Sequence, residues 1–194
     1  MKRIRQAILQ MDRRVLTYFN ERENRPCVQR IVRLITALGN GAFYGMLTAS
    51  VFLFINPLRP YAYLLIAAIF LNALDVNLIL KKIFRRERPY DARREIRIAI
   101  VKPTDYSFPS GHTSVTTAIT IILIYLGTRM GGGGWIFIFA NIGFLLLMAF
   151  SRLYLKVHYL SDVLAGVAAG LINGFAVLFF RREIISFCET ILSF

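Results

Sequence analysis

The chain has 194 residues, 56% of them hydrophobic and 18% charged, against about 45–50% and about 25% in an ordinary soluble domain. With a mean hydropathy of +0.54, that composition excludes a disordered chain and argues against a soluble globular one. A formal net charge of +13 asks for anionic partners, and in so apolar a chain phospholipid head groups fit better than nucleic acid.

Residues 1–30 are strongly basic, and Ile4, Ile8, Met11, Val15 and Tyr18 recur at helical spacing. The pattern predicts an amphipathic helix lying in the interface with its basic face toward anionic lipid, or else a solvated basic arm; neither carries catalysis. Asp12, Arg13 and Arg14 interrupt any apolar run, so it does not read as a secretory signal. The first uncharged stretch is Leu34–Ile55, long enough for a span of roughly 20 residues. Tyr61–Leu80 is the second, with Asp75 inside it. Ser110–Thr128, Trp135–Arg152 and Tyr159–Phe180 are the third, fourth and fifth, and a polar loop lies at Phe84–Phe108. The expected fold is an all-α, polytopic bundle of five spanning helices. It forms a single domain over 1–194, with an interfacial segment at 1–30 and a transmembrane core at 31–183. The two cysteines, Cys27 and Cys188, give neither a disulfide framework nor a metal-ligand spacing.

Five crossings place the N-terminus, the 81–111 loop and the 151–159 turn on one face. These segments hold 19 of the 24 Lys and Arg residues. The positive-inside rule then favours the cytoplasmic side of a bacterial inner membrane, although cations that bind a phosphate would bias the same count.

Three polar clusters fall on that face. Lys81 to Arg88 carries five cations in eight residues, suited either to interfacial anchoring or to clamping an anion. Pro109-Ser110-Gly111-His112 opens a long apolar run. Its residues either simply cap a helix or offer its N-terminal N–H groups to a phosphate, with Gly111 permitting close approach and His112 able to donate a proton. Ser151-Arg152 precedes His158 and Asp162, which are four apart. On one helix these two would touch, the carboxylate fixing the tautomer and freeing the other nitrogen as a nucleophile. The alternative is a buried ion pair joining two helices. Arg152 adds a forked donor matched to phosphate oxygens. Cationic clamp, anion cradle and two histidines together form a set for covalent phosphoryl transfer, with no metal or cofactor called for.

These residues resemble the type 2 phosphatidic acid phosphatase family, integral membrane lipid phosphatases related to vanadium haloperoxidases. The family pattern is Lys, six residues, Arg-Pro; then Pro-Ser-Gly-His; then Ser-Arg, five residues, His, three residues, Asp. Here it is met by Lys81 with Arg88-Pro89, by Pro109-Ser110-Gly111-His112, and by Ser151-Arg152 with His158 and Asp162. The resemblance implies that His158 attacks phosphorus, Asp162 orients it, and His112 protonates the leaving oxygen and then activates water. It also implies that Lys81, Arg88, Ser110, Gly111 and Arg152 hold the phosphate. Many members have six spans, whereas five are read here. The implied substrates are phosphatidylglycerol phosphate, phosphatidic acid, a polyprenyl diphosphate or a phosphorylated glycolipid. Competing readings are a protein that only binds anionic lipid, disfavoured by the oriented histidine, and a haloperoxidase, disfavoured by the five spans.

Outside the motifs, Asp75 with Asn72 and Asn77 is read as structural, and Asn141 and Asn173 as links between helices. Gly166 and Gly170 form a close-packing pair. Arg85, Arg86, Arg93, Arg94 and Arg97 either steer an anionic head group or sit in a solvated loop.

Overall fold

The computed structural model describes residues 2–21, 26–38, 41–93, 95–96, 98 and 100–192; Arg94 and Arg97 lie outside them. Among the described residues the chain is helical, without a strand. It runs α1 (Lys2–Glu21), α2 (Pro26–Leu38), α3 (Gly41–Leu53), α4 (Arg59–Asn72), α5 (Lys81–Phe84) and α6 (Pro89–Ala92). Then follow α7 (Gly111–Gly127), α8 (Gly134–Tyr154), α9 (Leu160–Phe179) and α10 (Arg181–Leu192).

Three stretches are long and apolar enough to cross a membrane: Asn56–Ala92, Gly131–Tyr154 and Leu160–Phe179. Large apolar side chains face outward along them, including Phe70, Phe139 and Ile172, as expected where lipid replaces water as solvent. The protein is an integral membrane protein.

Three elements differ from the sequence expectation. The expected first span is two helices, α2 and α3, bent by 52°; the sequence at their join is Gly39-Asn40-Gly41, residues of low helix propensity. The second is not uniformly α-helical, because Ala73–Leu80 between α4 and α5 is π-helical, and it carries Asp75. The amphipathic α10 was not anticipated; its Ile184 and Ile185 pack back on the core.

The centre of the bundle is α7, which packs against α3, α4, α8 and α9. Leu64 and Leu65 of α4 meet Ile119, Ile122 and Leu123 of α7 in the main core. Lipid is as apolar as leucine, so close packing and interhelical hydrogen bonds, more than burial, hold such a bundle together. The α7–α9 seam shows it. A Cβ at Gly166 would lie 2.6 Å from the Ser110 carbonyl oxygen, and one at Gly170 would lie 2.3 Å from that of Ser114. Asn72 donates to Ser114 Oγ at 2.6 Å. Asn141 links helices as expected, accepting from Tyr44 of α3 at 2.9 Å. Asp75 faces Asn173 of α9. A second apolar cluster, with Leu16 of α1, Val32 of α2, Tyr90, Leu155 and Val157, supports the end of the bundle where the polar motifs meet.

Candidate active site

Lys81 and Arg88 are separated by a sharp turn. Arg85 closes α5 in the left-handed region, at φ 44° and ψ 37°, and the redirected chain sends Arg86 and Arg88 inward. Both Lys81 and Arg88 are buried. They share one counter-ion, Asp105: Lys81 Nζ donates to Asp105 Oδ2, and Arg88 Nη2 donates to its Oδ1 at 2.7 Å. Burial would raise the Asp105 pKa, but hydrogen bonding and charge from Lys81 and Arg88 prevail and hold it at about 2.

Arg88 makes three further bonds. Nε donates to the Asp105 carbonyl at 2.8 Å, and Nη1 donates to the Val157 carbonyl at 2.9 Å. Nη1 also lies 3.2 Å from His158 Nε2. Because that neighbour is an obligate donor, the lone pair of His158 is on Nε2 and its proton is on Nδ1.

His158 is 3% exposed and lies before α9, so it does not share a helix with Asp162 as the spacing suggested. Asp162 occupies the first turn of α9, accepting the Tyr159 N–H on Oδ2 at 2.9 Å. The backbone bend brings the pair together, with Nδ1 and Oδ2 3.6 Å apart, beyond hydrogen-bond reach. Ser107 sits beside them, 3.4 Å from Nδ1 and donating to Asp162 Oδ2 at 2.5 Å. Asp162 Oδ1 accepts from Arg86 Nη1 at 2.6 Å. Burial pushes the His158 pKa down and the charges of Arg88 and Arg152 push the same way. Asp162 only partly opposes them, leaving the value at about 4. The imidazole is therefore neutral at pH 7.

His112 and Gly111, in the first turn of α7, line a cavity of about 160 Å³ with Lys81, Asp105, Asn72 and Asn77. A Cβ on Gly111 would stand 2.7 Å from Asn77 Oδ1 and 3.4 Å from Lys81 Nζ, so a side chain here would displace the Asn77 amide and crowd the Lys81 ammonium. Ser110 is fully buried. Its N–H donates to the Asp162 carbonyl at 3.0 Å, and its hydroxyl lies 3.0 Å from Thr113 Oγ1, so it ties α7 to α9. Arg152 bonds Ser151 Oγ at 3.1 Å and Thr36 Oγ1 of α2.

The sequence-read residues thus converge, with Lys81, Arg88, His112, His158 and Asp162 at one end of the bundle. Sequence reasoning missed Asp105 and Ser107, which lie just upstream of the Pro-Ser-Gly-His motif. It also missed Asp12, and it left Arg86 among loop cations although Arg86 grips Asp162. Arg85 does face outward and bonds the Lys82 carbonyl at 3.0 Å. Among the described residues, no three His, Cys, Asp or Glu side chains gather where they could share a metal ion.

The family profile described as the PAP2 superfamily matches residues 57–185. Undecaprenyl-diphosphatase BcrC of Bacillus subtilis is 30% identical over 138 residues, 71% of this chain and 66% of that relative, just under two thirds of its length. Decaprenylphosphoryl-5-phosphoribose phosphatase of Mycobacterium tuberculosis is 29% identical over 147 residues, 76% of this chain and 77% of the relative. Among solved structures, the transmembrane PAP2-type phosphatidylglycerolphosphate phosphatase of Bacillus subtilis superposes with a TM-score of 0.75 at 23% identity. It covers 92% of this chain and 88% of its own, which establishes a shared fold.

Proposed function

The chain belongs to the PAP2 superfamily, and from that premise we propose that it is a membrane lipid phosphatase working through a phosphohistidine. One observation carries the reading. A buried, neutral histidine has its lone pair on Nε2 beside Arg88 and its other nitrogen toward Asp162. An anion-binding protein needs the cations but not an oriented imidazole.

A substrate phosphate takes the place of the Asp105 carboxylate on Lys81 and Arg88, and meets the N–H groups at the start of α7 beside Gly111. Ser110 and Arg152 complete the phosphate site. His158 Nε2 attacks phosphorus, the bond to the leaving oxygen breaks, and His112 protonates that oxygen. The Nδ1 proton stays directed at Asp162, which stabilises the imidazolium-like charge on His158. Water, deprotonated by His112, then attacks phosphorus and releases inorganic phosphate and free His158. The non-bridging charge is met by fixed cations, so the chemistry needs no metal.

The substrate joins an anionic phosphate to an apolar tail. Both relatives described above are named for prenyl-lipid substrates, one a diphosphate and one a prenyl-linked sugar phosphate, which favours a phosphate carried on a polyprenyl lipid, with phosphatidylglycerol phosphate second. Five crossings follow if α2 and α3 form one and the 17-residue α7 another. The amphipathic α1 then lies at the interface, and the basic asymmetry puts the site on the cytoplasmic side of a bacterial inner membrane.

Phosphate release by purified protein in detergent tests the reading, using undecaprenyl diphosphate, phosphatidylglycerol phosphate and phosphatidic acid in the presence of EDTA. We expect release from at least one lipid and none from His158→Ala. A folded wild type inactive on all three, while still binding them, would leave a lipid-binding protein.

A further inference from the structure

Asp12 belongs to the basic helix α1, whose Arg3, Arg5, Arg13 and Arg14 are exposed, yet Asp12 itself is only 2% exposed. A carboxylate so buried needs full compensation, and it has three bonds. Oδ1 accepts the Ser161 N–H at 2.8 Å. Oδ2 accepts from Ser161 Oγ at 2.6 Å and from Arg86 Nη2 at 2.7 Å. The other terminal nitrogen of Arg86 donates to Asp162 Oδ1 at 2.6 Å and to Ser161 Oγ at 2.7 Å. The guanidinium is therefore held between two carboxylates, one on α1 and one beside His158. The Tyr159 ring stacks 4.0 Å from its Cζ.

The contact is not incidental to apolar packing. Beside this network, Ile4, Ile8 and Leu9 of α1 and Leu164 of α9 line an open groove of about 670 Å³, with Arg86 and Ser161 at its edge. There the polar tie joins the two helices. Without Asp12, one side of the Arg86 fork loses its partner, and the guanidinium is free to leave the geometry that presents Nη1 to Asp162.

We propose that Asp12 is a positioning residue of the active site: through Arg86 it fixes the Asp162 carboxylate beneath His158, which makes α1 part of the catalytic apparatus. This rests on the reading of His158 and Asp162 as the catalytic pair. It differs from a purely structural role, in which Asp12 only caps the first turn of α9 through Ser161.

The test uses the full chain in detergent micelles, comparing wild type with Asp12→Asn, Asp12→Glu and Arg86→Lys. Turnover of undecaprenyl diphosphate gives kcat and KM. Nitrogen-15 histidine spectra give the tautomers of the two histidines, assigned with His112→Gln. We expect Asp12→Asn to lower kcat on the order of tenfold or more, with KM within about twofold. The His158 signal should move from one Nδ1–H tautomer toward a mixture. Asp12→Glu should recover part of both effects, and Arg86→Lys, which keeps the charge but loses the fork, should reproduce the loss. If Asp12→Asn fails to fold, Asp12→Glu and Arg86→Lys carry the comparison. Wild-type kcat, or a lowered kcat with His158 unmoved, overturns the proposal. If wild type turns over no lipid, the functional reading falls, and the tautomer shift alone decides whether Asp12 positions Asp162.

Discussion

In the proposed mechanism His158 attacks phosphorus only while Nε2 keeps its lone pair, and protonation removes it. Its pKa lies at about 4, below the ordinary histidine value of about 6.5, because burial and cationic neighbours oppose a positive charge. We therefore expect the acid limb that His158 contributes to kcat/KM to be centred at about pH 4. An acid limb centred near 6.5 in the pH profile would contradict this. Asp105 competes for the same cations that would hold a phosphate. Asp105→Asn should lower the inhibition constant for vanadate by roughly twofold to fivefold, the scale of a partly exposed ion pair; weaker inhibition would instead make Asp105 a support for Lys81 and Arg88. Lys81, Arg88, His112, His158 and Asp162 were legible because their spacing survives in one dimension. Asp12 was not, because its partners Arg86 and Ser161 are 74 and 149 residues away, and nothing local marks a buried carboxylate on a basic helix.

At the level of elements, the α7–α9 seam fixes the site, because α7 starts at Gly111 and His112 while α9 starts beside His158 and carries Asp162. The Ser110 N–H bond to the Asp162 carbonyl joins the two starts directly. Gly170 lets the backbones approach, and its added Cβ would meet the Ser114 carbonyl oxygen at 2.3 Å, a contact no rotamer change relieves. Gly170→Ala should cost about 1–3 kcal/mol and lower Tm by several degrees. Gly143→Ala, whose Cβ meets nothing within 4 Å, should not lower Tm, because alanine is the better helix former, and equal melting of both variants would remove the seam from this role. The apolar runs made α8 and α9 readable to within a few residues. Hydropathy alone misses the bend between α2 and α3, because Gly39, Asn40 and Gly41 carry no charge. It also misses the π-helical stretch around Asp75, which is a matter of hydrogen-bond register. The expected one-helix geometry of His158 and Asp162 failed for a similar reason: Asp162 takes the Tyr159 N–H at the start of α9, leaving His158 outside the helix.

Over the whole molecule, one end of an apolar bundle gathers the buried cations and both histidines, while the flanks present phenylalanine and isoleucine outward. That division suits a substrate whose tail stays in lipid while its phosphate enters a polar site. The polar end is assembled from α1, the 85–110 loop and the starts of α7 and α9, so no single segment holds it. The most direct measurement is a rapid-quench reaction with a lipid diphosphate radiolabelled in its terminal phosphate. It is stopped in alkali, where a phosphohistidine survives, and followed by peptide mapping. We expect transient label on the peptide containing His158 and neither label nor turnover in His158→Ala. Wild-type turnover by His158→Ala, or label only on another residue, would contradict the assignment of His158 as the nucleophile.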